Sequence, residues 1–217
     1  MQIDYASKHI DVLRNNRVAT FAAADNMNWL SFDHIVASQK YAKKVDVASS
    51  DAIENQGQVK RMSIPKGWHE NAPLAGATPD SSVRSLHPSG SNAATMNFYY
   101  RGIPLNENTA ASFSETLAKP PHALSNNEWK AIAPLLGDKC QADAFRTLSA
   151  RTQDINNKRV LVVEGRYTES QQDTYHVYVD AGGAGKVVQE IFYKAPKEEY
   201  PRYFRQATGA IKSIDWR

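Results

Sequence analysis

Residues 145–194 hold four runs of β-branched and aromatic residues, FRTLSART, KRVLVVEGRYT, TYHVYVD and KVVQEIFYK, separated by only a few turn-forming residues each. Such runs fit a pleated, half-buried surface better than a helix. Connections this short join only antiparallel neighbours, because a parallel crossover needs a dozen residues or more. This part of the chain is therefore expected to be an antiparallel sheet. Asn156-Asn157 suits the first turn, and the glycines of AGGAGK, residues 181–186, suit the last. The closing PRYFRQATGAIKSIDW, residues 201–216, reads as a helix with Pro201 in its first turn. Phe204, Ala207, Ile211 and Ile214 fall on one stripe of it, which is expected to cover the sheet.

Upstream, VKRMSIPKGW (59–68) reads as a strand ending in a Pro-Lys-Gly turn, with Trp68 closing an edge of the core. SSVRSLHP and ATMNFYYRG read as strands around the hairpin tetrapeptide SGSN. Two helices follow over 109–136. The second opens with a capping box, in which Ser125 accepts from the Glu128 backbone while the Glu128 side chain reaches back. The first sixty residues have helical periodicity, with Trp29, Phe32, Val36 and Tyr41 on the second segment, and ASSDAIENQGQ (48–58) reads as a polar connector. The expected organisation is a helical segment, 1–58, ahead of an α+β domain, 59–217, and the apolar stripe of Trp29, Phe32, Val36 and Tyr41 either completes the core or docks a partner.

The glycine-rich stretch raises the question of phosphate binding. A Walker loop requires a glycine five residues before the Gly-Lys pair and a hydroxyl after it. Here Asp180 and Val187 occupy those positions, and a strand follows where a helix is needed. A dinucleotide fingerprint fails as well, because Val188 stands at its third glycine position. The stretch is expected to be a hairpin turn, and no cofactor is expected.

The same hairpin suggests one polar constellation. With Asp180 facing Lys186 and Thr168 facing Thr174, antiparallel pairing puts Arg166, His176 and Glu190 in one row, with Glu164 and Tyr178 beside it. A histidine between a carboxylate and a guanidinium can act as acid or base, while the arginine holds an anion. The competing reading is that such alternation covers the wet face of an antiparallel sheet. The remaining histidines show no metal-ligand spacing, and no nucleophile elbow is present. Cys140 is the only cysteine, so no intramolecular disulfide forms.

Charge narrows the partners. The net charge is +3, and residues 151–217 carry eleven basic against nine acidic side chains, so no basic face marks a nucleic-acid binder. No apolar run approaches the length of a membrane span. The compartment stays open between cytoplasm and, if a signal was removed, periplasm or exterior.

SIPKGW, NNKRVLVVEGRYT with its following hairpin, and a final helix ending IKSIDW together resemble the PsbP-like family of α/β/α sandwich domains over residues 59–217. In that family a strand leads into a Pro-Gly-Trp turn and the last helix covers an antiparallel sheet. Members are mostly non-catalytic accessory or binding proteins, many of them exported. The segment of about sixty residues in front departs from the pattern. The resemblance implies a non-enzymatic accessory role with a protein partner, in protein assembly. Two other readings stay open: a cofactor-free hydrolase or nuclease using Arg166, His176 and Glu190, and an immunity or inhibitor protein for a secreted toxin.

Overall fold

The computed structural model describes residues 52–71, 83–136 and 145–217. Strands β1 (Ala52–Gln56) and β2 (Val59–Ser63) form a hairpin, followed by β3 (Trp68–Glu70), β4 (Val83–Pro88) and β5 (Thr95–Pro104). Helices α1 (Glu107–Ala118) and α2 (Asn126–Ile132) come next, α2 running into a 3-10 turn, Ala133–Leu136. The chain then builds β6 (Phe145–Ile155), β7 (Lys158–Tyr167), β8 (Gln172–Asp180) and β9 (Val187–Pro196), and ends with α3 (Tyr200–Lys212) and β10 (Asp215–Trp216).

Seven strands form one antiparallel sheet in the order β3-β4-β5-β9-β8-β7-β6, and β1-β2-β10 form a second, small sheet. The fold class is α+β, as expected, with helices on both faces of the large sheet. On one face Val160, Val162, Val177, Val179, Ile191 and Tyr193 pack against Tyr203, Ala207, Ala210 and Ile211 of α3 and against Ile53, Val59 and Met62 of the small sheet. On the other, Leu161, Val163, Tyr178 and Val188 pack under Phe113 of α1 and Trp129 and Ile132 of α2.

Local chemistry accounts for several of these elements. Asn156 and Asn157 both take positive φ, 47° and 65°, which a tight hairpin needs and asparagine tolerates. The Asn156 amide also donates to the carbonyls of Lys212 and Ile214, tying that turn to the end of α3. The capping box of α2 is present in both halves. Trp68 is buried, and its Nε1 donates to Gln206 Oε1 at 2.8 Å, joining the Pro-Lys-Gly turn to α3.

Two sequence expectations are corrected here. Residues 52–56, read as part of a polar connector, form β1, because Ile53 buries fully while Glu54 and Asn55 face water. The last helix ends at Lys212, not at residue 216: Asp215–Trp216 pairs with β2 opposite Arg61 and Val59. Ile214 is still fully buried, beyond the helix. The N-terminal positions Trp29, Phe32, Val36 and Tyr41, and Cys140, lie outside the described residues. No helix among the described residues is long and apolar enough to cross a membrane.

Candidate functional site

His176 and Glu190 meet in the second core. His176 Nδ1 lies 2.8 Å from Glu190 Oε1, and both residues are 0 % exposed. The register that brings them together differs from the one read in the sequence. Asp180 lies opposite Val188, Tyr178 opposite Glu190, and His176 opposite Phe192. The slip is of two residues, which preserves the face, so His176 and Glu190 become diagonal neighbours.

Its cause is Asp180. The Asp180 carboxylate accepts from the backbone N–H of Gly182, Gly183 and Gly185 at 3.2, 2.9 and 3.0 Å, holding the loop wider than a tight turn. Successive N–H groups of this kind form an anion-binding nest. Here the chain's own carboxylate occupies it, where a nucleotide would place a phosphate. Ala184 at φ 52° separates Gly183 and Gly185, at φ 75° and 70°.

Arg166 does not join the pair. In the β7–β8 hairpin Tyr167 pairs with Gln172, leaving a four-residue turn with Gln171 at φ 53°. Arg166 therefore lies opposite Asp173, and Val163 opposite His176. This slip is odd, so Arg166 falls on the α3 face, where its guanidinium forms a two-pronged ion pair with Asp173. The hydrogen bond to Asp173 raises the Arg166 pKa and so holds its charge more firmly, outweighing the solvation that Arg166 loses to burial. Glu164 shares that face and pairs with Arg151 at 2.6 Å.

The wet-face reading of the row is corrected too. Helices α1 and α2 roof this side of the sheet, and aromatic rings enclose the imidazole. Phe192 stacks on His176 at 5.1 Å, Tyr178 at 5.9 Å, and Phe145 meets it edge-on at 5.8 Å. Phe145 reaches this position because Gly165 lies beneath it: a Cβ there would collide with the Phe145 ring and the Arg146 carbonyl. A hydrogen-bonded imidazole and carboxylate is the orienting half of an acid–base relay. A relay acts only on a group within hydrogen-bond reach, and these side chains present no surface to solvent.

Two surface grooves formed by described residues lie elsewhere. One runs between the glycine loop and α1, lined by Leu105, Glu107, Ala110, Ser114, Ala184 and Lys186. A smaller one runs between α1 and α2 past Glu115, Lys119, Asn127 and Glu128. Neither is lined by His176 or Glu190. At the second, Lys119 and the cap Ser125 hold the Glu128 carboxyl down to about 2 from its ordinary 4.5, with His122 contributing through a 3.1 Å hydrogen bond. Among the described residues no three His, Cys, Asp or Glu side chains gather as metal ligands. Sequence reasoning missed Asp173, Phe145 and the Glu128–Lys119 pair, since each depends on a neighbour brought in by tertiary contact.

Comparison with known proteins gives a fold and no family. No protein-family model matches the chain, and no curated protein does. Among solved structures the chain is similar to cyanobacterial PsbP (CyanoP) from Synechocystis, with a TM-score of 0.51 and 11% identity, over 81% of this chain and 96% of that one. It also aligns with a Pseudomonas aeruginosa protein of unknown function, at a TM-score of 0.43 and 11% identity, over 77% of this chain and 96% of that one. A Bacteroides thetaiotaomicron structure aligns at a TM-score of 0.39 and 11% identity, over 75% of this chain and 49% of that one. The first likeness shows a shared PsbP-like fold.

Proposed function

We propose that this chain is a non-enzymatic accessory protein that acts by binding another protein. The observation that carries the reading is the enclosure of the acid–base pair read from the sequence: His176 and Glu190 are 0 % exposed beneath aromatic rings and two helices. Buried polar groups that touch no solvent specify packing far more readily than they perform chemistry. The accessory role implied by the PsbP-like resemblance supports it as an analogy of fold. The partner is a protein and not a nucleic acid, given the near-balanced charge. Residues 1–47, with Trp29, Phe32, Val36 and Tyr41 on an apolar stripe, are the proposed docking segment.

The hydrolase reading keeps two of its three residues together but leaves Arg166 bound to Asp173 on the other face. The inhibitor reading is a special case of protein binding in which the partner is a toxin, and the same experiment identifies it. Tagged full-length protein, cross-linked in its source cells, is expected to carry a stoichiometric partner that re-forms the complex from purified components. Trp29→Glu with Phe32→Glu is expected to abolish that complex, and Glu190→Gln to retain it. Turnover of an ester, phosphodiester or peptide panel that disappears in Glu190→Gln would sink the accessory reading.

A further inference from the structure

The two edges of the large sheet are finished differently. At one, β3 has only three residues, and exposed Glu70 is paired with Arg84 from the neighbouring strand. Short, charged edge strands of this kind resist pairing with another chain. At the other, β6 runs for eleven residues. Its second half is covered by residues 122–124: Leu124 N–H donates to the Ala150 carbonyl at 2.9 Å, and Thr152 N–H to the His122 carbonyl at 2.8 Å. Along its first half, Phe145–Ser149, no backbone hydrogen bond joins the outer side to any described residue.

This half of β6 carries two further features. The register of β6 against β7 shifts between Thr147 and Ser149, so Leu148 sits on a bulge. Leu148 is 40% exposed and is the exposed large hydrophobic residue among those described. Beside it, Arg146 is exposed, lies directly opposite Arg166, and forms no ion pair among the described residues. Arg166 is neutralised by Asp173, and Arg146 has no counter-charge among the described residues.

We infer that residues 145–149 of β6 accept an extended, acidic segment of a partner protein as an added strand, with a carboxylate on Arg146 and an apolar side chain on Leu148. The inference rests on the accessory reading above. Strand addition draws its affinity from main-chain hydrogen bonds and its selectivity from alternate side chains. A second copy of this chain is the weaker occupant, because antiparallel β6–β6 pairing about a two-fold axis gathers both Arg146 guanidiniums near that axis.

The probe is a labelled, end-capped heptapeptide, Thr-Val-Thr-Glu-Thr-Val-Thr, whose glutamate and valines share one face, titrated by fluorescence anisotropy against the full-length protein. Saturable binding is expected that weakens with salt. The counterpart with lysine in place of glutamate, and a glutamate peptide methylated on its backbone nitrogens, are expected to bind at least tenfold more weakly. Arg146→Glu is expected to reverse the preference between the two charge types, with an unchanged far-UV spectrum because the residue is exposed. Equal binding of both charge types, undiminished binding of the methylated peptide, or no binding overturns the inference. A dimer in sedimentation that Leu148→Asp dissociates assigns the edge to a second copy and overturns it too. If the cross-linked complex forms undiminished with Arg146→Glu, the edge assignment fails while the accessory reading stands. A peptide that binds as expected where no cellular complex forms does the reverse.

Discussion

The two faces of the large sheet bury comparable sets of side chains by different rules. The α3 face is mostly apolar, with Val160, Val162, Val177, Val179 and Ile191 lying under Ala207, Ala210 and Ile211, and its buried Gln189 bonds the backbone of Gln56 and Gln58. The α1–α2 face contains a similar apolar floor but places His176 and Glu190 among Phe192, Tyr178 and Phe145. Apolar packing is non-directional and tolerates small adjustments. A buried imidazole–carboxylate pair tolerates none, because a small misplacement leaves a desolvated charge or donor behind. The first face supplies stability and the second adds selectivity among packings.

The largest expected effect strips the first face. Each buried side chain such as Ile211 or Ile214 contributes about 1.5–3 kcal/mol, against about 5–15 kcal/mol for a whole domain. Deleting residues 204–217 also removes β10 and the carbonyls that hold Asn156. No folded protein is expected, and a cooperative melt like that of the parent would show that this face is dispensable.

Next comes the polar pair. Glu190→Leu leaves His176 buried without its carboxylate and is expected to cost about 3–5 kcal/mol in chemical denaturation. Combining it with His176→Leu should recover much of that loss, since an apolar replacement of both partners can be near neutral. Purely additive losses would mean the pair does not act as a unit.

The glycine loop, which leans on the second face, gives a smaller contrast. Gly183 and Gly185 both have positive φ, so alanine at either costs about 1–2 kcal/mol. A Cβ on Gly183 meets nothing within 4 Å, whereas one on Gly185 collides with the Ala110 carbonyl of α1. Gly185→Ala is therefore expected to lose a further 1–3 kcal/mol or so by overpacking. Equal melting temperatures for the two variants would refute the close approach of loop and helix.

The smallest effect lies at the rim of the second face. Glu128→Gln is expected to cost about 1 kcal/mol at neutral pH, through the capping box and the Lys119 contact. The carboxyl is held at about 2 instead of 4.5, so its contribution is fully present above about 4.5 and is lost as pH falls through about 2. The gap between wild type and variant should narrow over that range, and a gap unchanged at acid pH would show that the carboxylate charge is not what stabilises α2.

Local chemistry was legible in the residues themselves. The Ser125–Glu128 box, the Asn156–Asn157 turn, the buried Ala207, Ile211 and Ile214, and the antiparallel order of the last four strands all depend on near neighbours along the chain. So did the rejection of Gly182–Lys186 as a phosphate loop, because the Asp180 that defeats the motif is also the group filling its nest. Register lay beyond that reach. A loop two residues wider kept Glu190 beside His176, while an odd slip in the next hairpin sent Arg166 to the other face and into the charge of Asp173. Alternation makes the face depend on whether a slip is odd or even, and that parity is set by how each loop satisfies its own backbone. Whether a polar row is wet or roofed depends on where α1 and α2 come to rest, and contacts between elements far apart in the chain decided it here.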